Sequence, residues 1–127
     1  MQIERISYTP DAKGQTPPYS KLVKTAAGLV FVAGQVGMDD TGQPVPGGIE
    51  AETHRMFANL KSALAAGGLG LADVVKATVW LTSADDITAF NSIYRDYFGA
   101  DLPARACVQS GLMGPFKVEI DVIAAAR

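Results

Sequence analysis

The stretch from residue 74 to residue 99, VVKATVWLTSADDITAFNSIYRDYFG, decides the fold. Its first nine residues alternate in polarity, which predicts a β-strand whose apolar face is formed by Val75, Ala77, Val79 and Leu81. Apolar residues then recur every three or four positions, which predicts an amphipathic helix with an apolar side made of Ile87, Phe90, Ile93, Tyr94, Tyr97 and Phe98. A strand that leads directly into such a helix indicates a helical layer packed on a sheet.

Residues typical of helix caps mark the two ends of this helix. Ser83 and, three positions later, Asp86 resemble a capping box, which predicts that the helix opens there. Gly99 follows the last apolar residue, as is usual at a helix C-terminus.

Further elements are predicted on both sides of this stretch by the same patterns. Strands are predicted over 3–8, 21–25, 29–33, 104–109 and 117–124, and a second helix over 49–66. The predicted order is β-β-β-α-β-α-β-β. No linker or repeat divides the chain, so residues 1–127 are predicted to form a single α+β domain.

The alternation within the last two strands assigns their side chains to two faces. Arg105 and Cys107 point one way in the first of these strands, and Glu119 shares a face with Asp121 in the second. The small and branched residues between them suit the helix layer. We therefore expect Arg105, Cys107, Glu119 and Trp80 to lie on the opposite face, covered by other subunits. An arginine in that setting would suit a carboxylate ligand.

Composition excludes several kinds of site. The 127 residues are 48% hydrophobic and 19% charged, with a mean hydropathy of +0.14, which is typical of a globular chain. One cysteine, Cys107, and one histidine, His54, leave no disulfide within the chain and no zinc site built from cysteine and histidine. His54 lies off the apolar stripe of its helix and is expected to be solvated. No metal ligand cluster is predicted.

Charge and hydropathy give expectations about partners. The net charge is −2 and the isoelectric point about 5.2, so nucleic acid is not an expected partner. No apolar run approaches the length of about 18 residues that a membrane span needs. The first residues do not form a signal peptide. A soluble, cytoplasmic protein without a membrane partner is the expectation.

Six short blocks, in order along nearly the whole chain, resemble the Rid/YjgF family of reactive intermediate deaminases. They are Tyr19-Ser20, Val30-Phe31-Val32-Ala33-Gly34-Gln35, Asp73-Val74-Val75-Lys76-Ala77-Thr78-Val79, Phe90-Asn91-Ser92-Ile93-Tyr94, Pro103-Ala104-Arg105-Ala106-Cys107-Val108 and Val118-Glu119-Ile120. The resemblance implies a chorismate-mutase-like fold, with a mixed sheet and two helices on one face. It also implies a homotrimer with ligand clefts between subunits.

The resemblance also implies an activity. Members of this family hydrolyse enamines and imines such as 2-aminoacrylate to a 2-keto acid and ammonia, as hydrolases of C–N bonds that use no cofactor. Carried over by position, Arg105 would bind the substrate carboxylate and Glu119 would activate the attacking water. Substrate-binding contacts would come from Cys107, Tyr19, Gly34 and Ala33. Asn91, Tyr94 and Phe98 would be structural or would border the cleft.

One position departs from the family pattern, and alternatives stay open. Ala33 stands where many members have a serine, so a hydroxyl that could bind ligand or water is missing. A non-catalytic trimer that binds keto or amino acids, or a deaminase of another substrate, is therefore an alternative function. Arg105 could instead form an ion pair at a subunit interface, and Trp80 is expected to pack there. RNA binding or cleavage is less expected because the chain is acidic.

Overall fold

One six-stranded sheet carries two helices in the computed structural model, which describes residues 2–126. The elements are β1 Glu4–Ile6, β2 Leu22–Lys24, β3 Leu29–Val36, α1 Gly48–Ala66, β4 Val74–Leu81, α2 Ile87–Phe98, β5 Ala104–Gln109 and β6 Val118–Ala125. Short 3-10 turns at Leu71–Asp73 and Ala84–Asp86 precede β4 and α2. The predicted element order and α+β class are confirmed.

The sheet has the strand order β1-β2-β3-β6-β4-β5. All neighbouring pairs are antiparallel except β4 and β5, which run parallel because α2 carries the chain back between them. The last strand, β6, is therefore inserted into the middle of the sheet, and β5 forms an edge. This topology places residues of β6 beside β3, which matters for the site described below.

The core lies between the helices and one sheet face. Side chains from α1, α2, β3, β4 and β6 form one buried cluster, whose fully enclosed members include Phe57, Leu60, Phe90, Val79 and Ile120. Burying each large apolar side chain of this kind contributes about 1.5–3 kcal/mol. Because both helices use one face of the sheet, the other face has no helical cover within residues 2–126.

The start of β4 differs from its prediction. Its pairing with β6 is irregular between Val74 and Lys76, which inserts an extra residue at that point. Val74 is consequently only 5% exposed, whereas Val75 is 47% exposed. The prediction that Val75 faces the core is therefore wrong, because a bulge shifts the alternation by one residue.

The start of α2 also differs in detail. The Ser83 hydroxyl accepts a hydrogen bond from the backbone N–H of Asp85 at 3.2 Å, not from that of Asp86. Ser83 thus caps the 3-10 turn, and the α-helix begins only at Ile87. At the other end, Gly99 adopts φ 59°, a left-handed conformation that favours glycine, and its N–H donates to the carbonyl of Arg95.

Candidate active site

Arg105 lies on the helix side of the sheet, not on the far side. In the parallel pairing of β4 with β5, Arg105 is opposite Ala77, which is fully buried against the helices. Cys107 is likewise opposite Val79. The prediction that Arg105 and Cys107 face away from the helices is wrong. Strand register decides the face, and it places the small residues Ala104 and Ala106 on the far side.

The guanidinium of Arg105 is held by groups of α2. One terminal nitrogen donates to Oδ1 of Asn91 at 2.8 Å. The guanidinium carbon lies 4.8 Å from the ring centroid of Tyr94 and 5.9 Å from that of Phe90. Among residues 2–126, no carboxylate forms a salt bridge with it. Arg105 is thus a half-buried, positioned cation that has no counter-ion within the described part of the chain.

A hollow of about 200 Å³ opens beside this cation. The walls of this hollow, together with the exposed residue Cys107, which follows Arg105 on the same strand face, make up what we call the Arg105 half-site. Its members are Asn91, Tyr94, Arg95, Leu102, Pro103, Arg105 and Cys107. The remaining guanidinium N–H groups are the natural donors for a carboxylate in this hollow.

Glu119 lies on the far face, as predicted. On β6 it is opposite Val36 of β3 and Trp80 of β4. Burial raises the pKa of the Glu119 carboxyl, and the neighbouring Asp121 carboxylate raises it further. A carboxyl with a raised pKa exchanges protons more readily near neutral pH, which suits general acid–base work.

Gly34 leaves the space that the Glu119 carboxylate occupies. A Cβ placed on Gly34 would lie 2.5 Å from Oε2 of Glu119, a distance that real Cβ atoms do not reach. The β3 backbone carries no positive φ at this glycine, so only space, not backbone conformation, requires it. The predicted proximity of Gly34 to the site therefore has a direct physical basis in the pairing of β3 with β6.

Two hollows of about 540 and 580 Å³ meet at Glu119. Both include Tyr19 and Gly34, and Ala33 borders the second, where its methyl supplies no hydroxyl. The residues that we call the Glu119 half-site are Tyr8, Tyr19, Ala33, Gly34, Gln35 and Glu119.

Tyr8 and Gln35 belong to this half-site although the sequence patterns did not single out their side chains. Nε2 of Gln35 donates to the hydroxyl of Tyr8 at 2.9 Å and to the carbonyl of Ala33 at 3.1 Å. The Tyr8 ring contacts that of Tyr19 edge-on at 5.9 Å between centroids. A glutamine at the end of the apolar run of β3 was the available signal, because a buried amide needs such partners.

The two half-sites do not meet within one chain. Arg105 projects toward the helices, and Glu119 projects from the opposite face of the sheet. The two residues were expected on the same sheet face, but the sheet itself separates them. Tyr19, Ala33, Gly34 and Glu119 are brought together as the resemblance implied. Each half-site has only one of the two charged groups that the predicted chemistry requires.

The far face is apolar and exposed. Phe31 is opposite Ile123, and Trp80 is opposite Val108. The two pairs lie at different levels along the strands, because Ile123 is opposite Lys76 and Trp80 is opposite Glu119; we call these four residues together the apolar band. Phe31 and Val108 are among the exposed large hydrophobic residues of the chain. Exposed apolar bands of this kind are typical of protein interfaces.

His54 takes no part in either half-site. It is exposed on α1, and its Nδ1 is hydrogen-bonded to the hydroxyl of Tyr97 at 2.9 Å. Within residues 2–126, neither helix is both long enough and apolar enough to cross a bilayer.

Comparison with known proteins agrees with this architecture. Residues 9–126 match the family model described as Endoribonuclease L-PSP. The chain is 39% identical to the goat (Capra hircus) 2-iminobutanoate/2-iminopropanoate deaminase over 124 residues, covering 96% of this chain and 90% of the relative. It is 37% identical to a RutC family protein of Pyrococcus horikoshii, covering 96% and 98% of the two chains.

Solved structures give the same result. RidA from an Antarctic Psychrobacter superposes with a TM-score of 0.84 at 32% identity, covering 96% of this chain and 98% of its own. A Yersinia pestis protein of the conserved Rid family superposes with a TM-score of 0.86 at 30% identity, covering 98% and 100%. The chain therefore belongs to the Endoribonuclease L-PSP family, which is also called the YjgF/Rid family.

Proposed function

We propose that this protein hydrolyses 2-imino acids to 2-keto acids and ammonia, with Arg105 binding the substrate carboxylate and Glu119 handling the attacking water. The observation that carries the proposal is the state of Arg105, a half-buried guanidinium fixed by Asn91 and Tyr94 with no carboxylate paired to it in residues 2–126. Such a cation favours an anionic ligand. Several relatives at similar identity are named 2-iminobutanoate/2-iminopropanoate deaminase.

A complete site requires two copies of the chain. The Arg105 half-site opens beside the edge strand β5, and the Glu119 half-site opens on the far face next to the apolar band. If a second copy covers that band, Arg105 of one copy can approach Glu119 of the other. We propose a homotrimer, in which a closed ring of three such contacts forms three identical sites.

The chemistry then needs few groups. The imine carbon is already electrophilic, and binding of its carboxylate to Arg105 fixes its position. Water adds to that carbon while Glu119 accepts one of its protons and passes it to the imine nitrogen, which gives a tetrahedral carbinolamine. Glu119 then accepts the proton of the new hydroxyl and delivers it to the nitrogen as the C–N bond breaks, so that the carbonyl forms and ammonia leaves. One imine and one water thus give one 2-keto acid and one ammonia.

The direct test supplies freshly generated 2-aminoacrylate and the imines of alanine and 2-aminobutyrate, and follows keto acid and ammonia release. We expect faster release than in buffer for at least one imine. Rates equal to those in buffer for all of the imines would contradict the proposal.

The methyl of Ala33, in place of a hydroxyl, favours a second candidate, a non-catalytic trimer that binds keto acids. Calorimetric binding of 2-oxobutanoate without turnover of any imine would select that candidate.

The shared site predicts complementation between two inactive variants. Arg105→Ala and Glu119→Gln each remove one half of every site. In mixed rings, an interface that combines Arg105 of one copy with Glu119 of another is intact. Random assembly of the two variants in equal amounts makes about a quarter of the interfaces intact, so about a quarter of the wild-type activity is expected. Co-expression of the two variants and assay of the purified mixture measures this. Continued inactivity would contradict a site shared between copies.

Space at Gly34 predicts a specific loss of activity. In Gly34→Ala the new methyl would displace the Glu119 carboxylate. We expect kcat to fall about tenfold to a hundredfold because the base is moved, with little change in Tm since the end of a flexible side chain gives way. Gly70→Ala is the matched control, since a Cβ there meets nothing within 4 Å and its φ is not positive. Equal kcat values for the two variants would contradict the assigned role of Glu119.

A further inference from the structure

The hydroxyl of Tyr94 is a buried donor without a partner. Tyr94 is only 5% exposed, and its hydroxyl is the one buried side-chain oxygen or nitrogen in residues 2–126 that forms no hydrogen bond. Buried polar groups are nearly always paired, so an unpaired one calls for an explanation. An unpaired hydroxyl in this position costs folding free energy.

Packing does not explain why residue 94 is a tyrosine. Its ring contacts those of Phe57, Phe90 and Phe98 at centroid distances of 5.9, 5.5 and 4.7 Å. A phenylalanine would make the same ring contacts without burying a hydroxyl. The oxygen therefore serves something other than the aromatic cluster between α1 and α2.

The surroundings of the hydroxyl point to an anion. Tyr94 lines the Arg105 hollow, and the guanidinium carbon lies 4.8 Å from its ring centroid. Burial raises the pKa of the Tyr94 hydroxyl, Arg105 lowers it, and Cys107 raises it, so both of these half-site residues act on that oxygen. Oδ1 of Asn91, which also lines the hollow, accepts from Arg105 and forms no hydrogen bond with Tyr94. The ring that carries the donor thus packs against a cation that has no anionic partner among residues 2–126.

We propose that Tyr94 is a substrate-binding residue whose hydroxyl donates a hydrogen bond to the same carboxylate that Arg105 binds. This inference rests on the proposed function, because it takes the ligand to be the carboxylate of a 2-imino or 2-keto acid. Tyr94 and Arg105 then bind the carboxylate together. Arg105 supplies the positive charge, and Tyr94 supplies a directional hydrogen-bond donor that α2 holds in place.

The test uses two tyrosine-to-phenylalanine variants of one helix. Tyr94→Phe removes the unpaired hydroxyl. Tyr97→Phe is the matched control, because its ring also contacts that of Phe57, at 4.3 Å between centroids, whereas its hydroxyl is bonded to His54 outside the half-site. Binding of 2-oxobutanoate by calorimetry, KM and kcat for an imine, Tm and assembly mass are measured for both variants and the wild type.

For Tyr94→Phe we expect the Kd for 2-oxobutanoate and the KM to rise about tenfold, with Tm unchanged or higher, because the lost bond exists only with ligand. For Tyr97→Phe we expect unchanged Kd and KM and an equal or slightly lower Tm. A Tyr94→Phe variant with wild-type Kd and KM would overturn the inference. So would one whose only changes are a lower Tm or a smaller assembly, since the hydroxyl would then bond to a structural water or a second copy.

These outcomes separate the inference from the proposed function. If the wild type turns over imines and Tyr94→Phe binds 2-oxobutanoate equally well, only the inference fails. If the wild type binds 2-oxobutanoate without turnover and Tyr94→Phe binds it about tenfold more weakly, only the deaminase function fails. If the wild type neither binds nor turns over these acids, both fail.

Discussion

Replacing Arg105 by alanine is expected to lower kcat/KM for 2-imino acids by about a hundredfold or more. Each charge-assisted hydrogen bond to a carboxylate contributes about 1.5–3 kcal/mol, and a guanidinium can form two of them in parallel. Because Arg105 has no salt bridge in residues 2–126, its removal leaves no unpaired internal carboxylate. The loss should therefore appear chiefly in ligand binding and turnover, with a smaller loss in the free energy of unfolding from the bond to Asn91 and the contact with the Tyr94 ring.

Two further variants sharpen this test. Arg105→Lys keeps the charge but loses the planar fork that bonds to Asn91, so an intermediate loss is expected. Arg5→Ala removes the same charge from an exposed position on β1, at the opposite edge of the sheet, and should leave kcat/KM unchanged. Steady-state kinetics measures kcat/KM for each variant, and light scattering measures the mass of its assembly. If the Arg105 variants change the assembly mass but leave kcat/KM unchanged, Arg105 is an interface residue instead.

Replacing Glu119 by glutamine is expected to lower kcat by about 10²–10⁴-fold, the range typical of a lost general acid–base group. Glutamine has nearly the same shape as glutamate, so it should fit the space above Gly34 without displacing its neighbours. Asp121→Asn is the matched control. Asp121 is two residues along the same strand face, and burial likewise raises its pKa, while Lys76 lowers it. A comparable loss of kcat in both variants would contradict a specific role for Glu119.

The raised pKa of Glu119 also sets the direction of the pH dependence. A general base must be ionised, so the wild-type rate should fall as the pH drops through the Glu119 pKa, which lies above the usual value for glutamate. In the folded state the protonated form is favoured, so Glu119 contributes more stability as the pH falls from its folded pKa toward its unfolded one. Glu119→Gln should therefore be no less stable than the wild type at neutral pH. A pH–rate profile and thermal unfolding at several pH values measure both effects.

Local patterns were sufficient to predict the elements of the fold. The apolar repeat from Ile87 to Phe98 and the glycine after it determine α2, because a helix buries one side and often ends at a glycine with positive φ, as this one does at Gly99. The alternation around Ile120 likewise determines β6. These signals lie within single elements, where spacing and side-chain direction are directly related.

The relations between elements could not be obtained in the same way. The face on which Arg105 lies depends on its parallel register with Ala77, and no feature of either strand alone specifies that pairing. Likewise, the face on which Val75 lies depends on the bulge at Val74, which the residues of β4 alone do not specify. The position of Glu119 over Gly34 requires the last strand to insert between β3 and β4. The unpaired hydroxyl of Tyr94 becomes visible only when every potential acceptor around it has been placed.

The close approach of Gly34 to Glu119 means that the residue allowed at one of these two positions depends on the residue at the other, although they are far apart in the sequence. The carboxylate of Glu119 keeps its position only while residue 34 has no side chain, since a methyl there would overlap Oε2 and push the end of the side chain aside. The effects of substitutions at the two positions should therefore not add. An alanine at 34 leaves the side chain at 119 undisplaced only if that side chain is shortened, which also withdraws the carboxylate from the cleft. Among relatives, we expect the two positions to change together, and a change of both to accompany a change of chemistry.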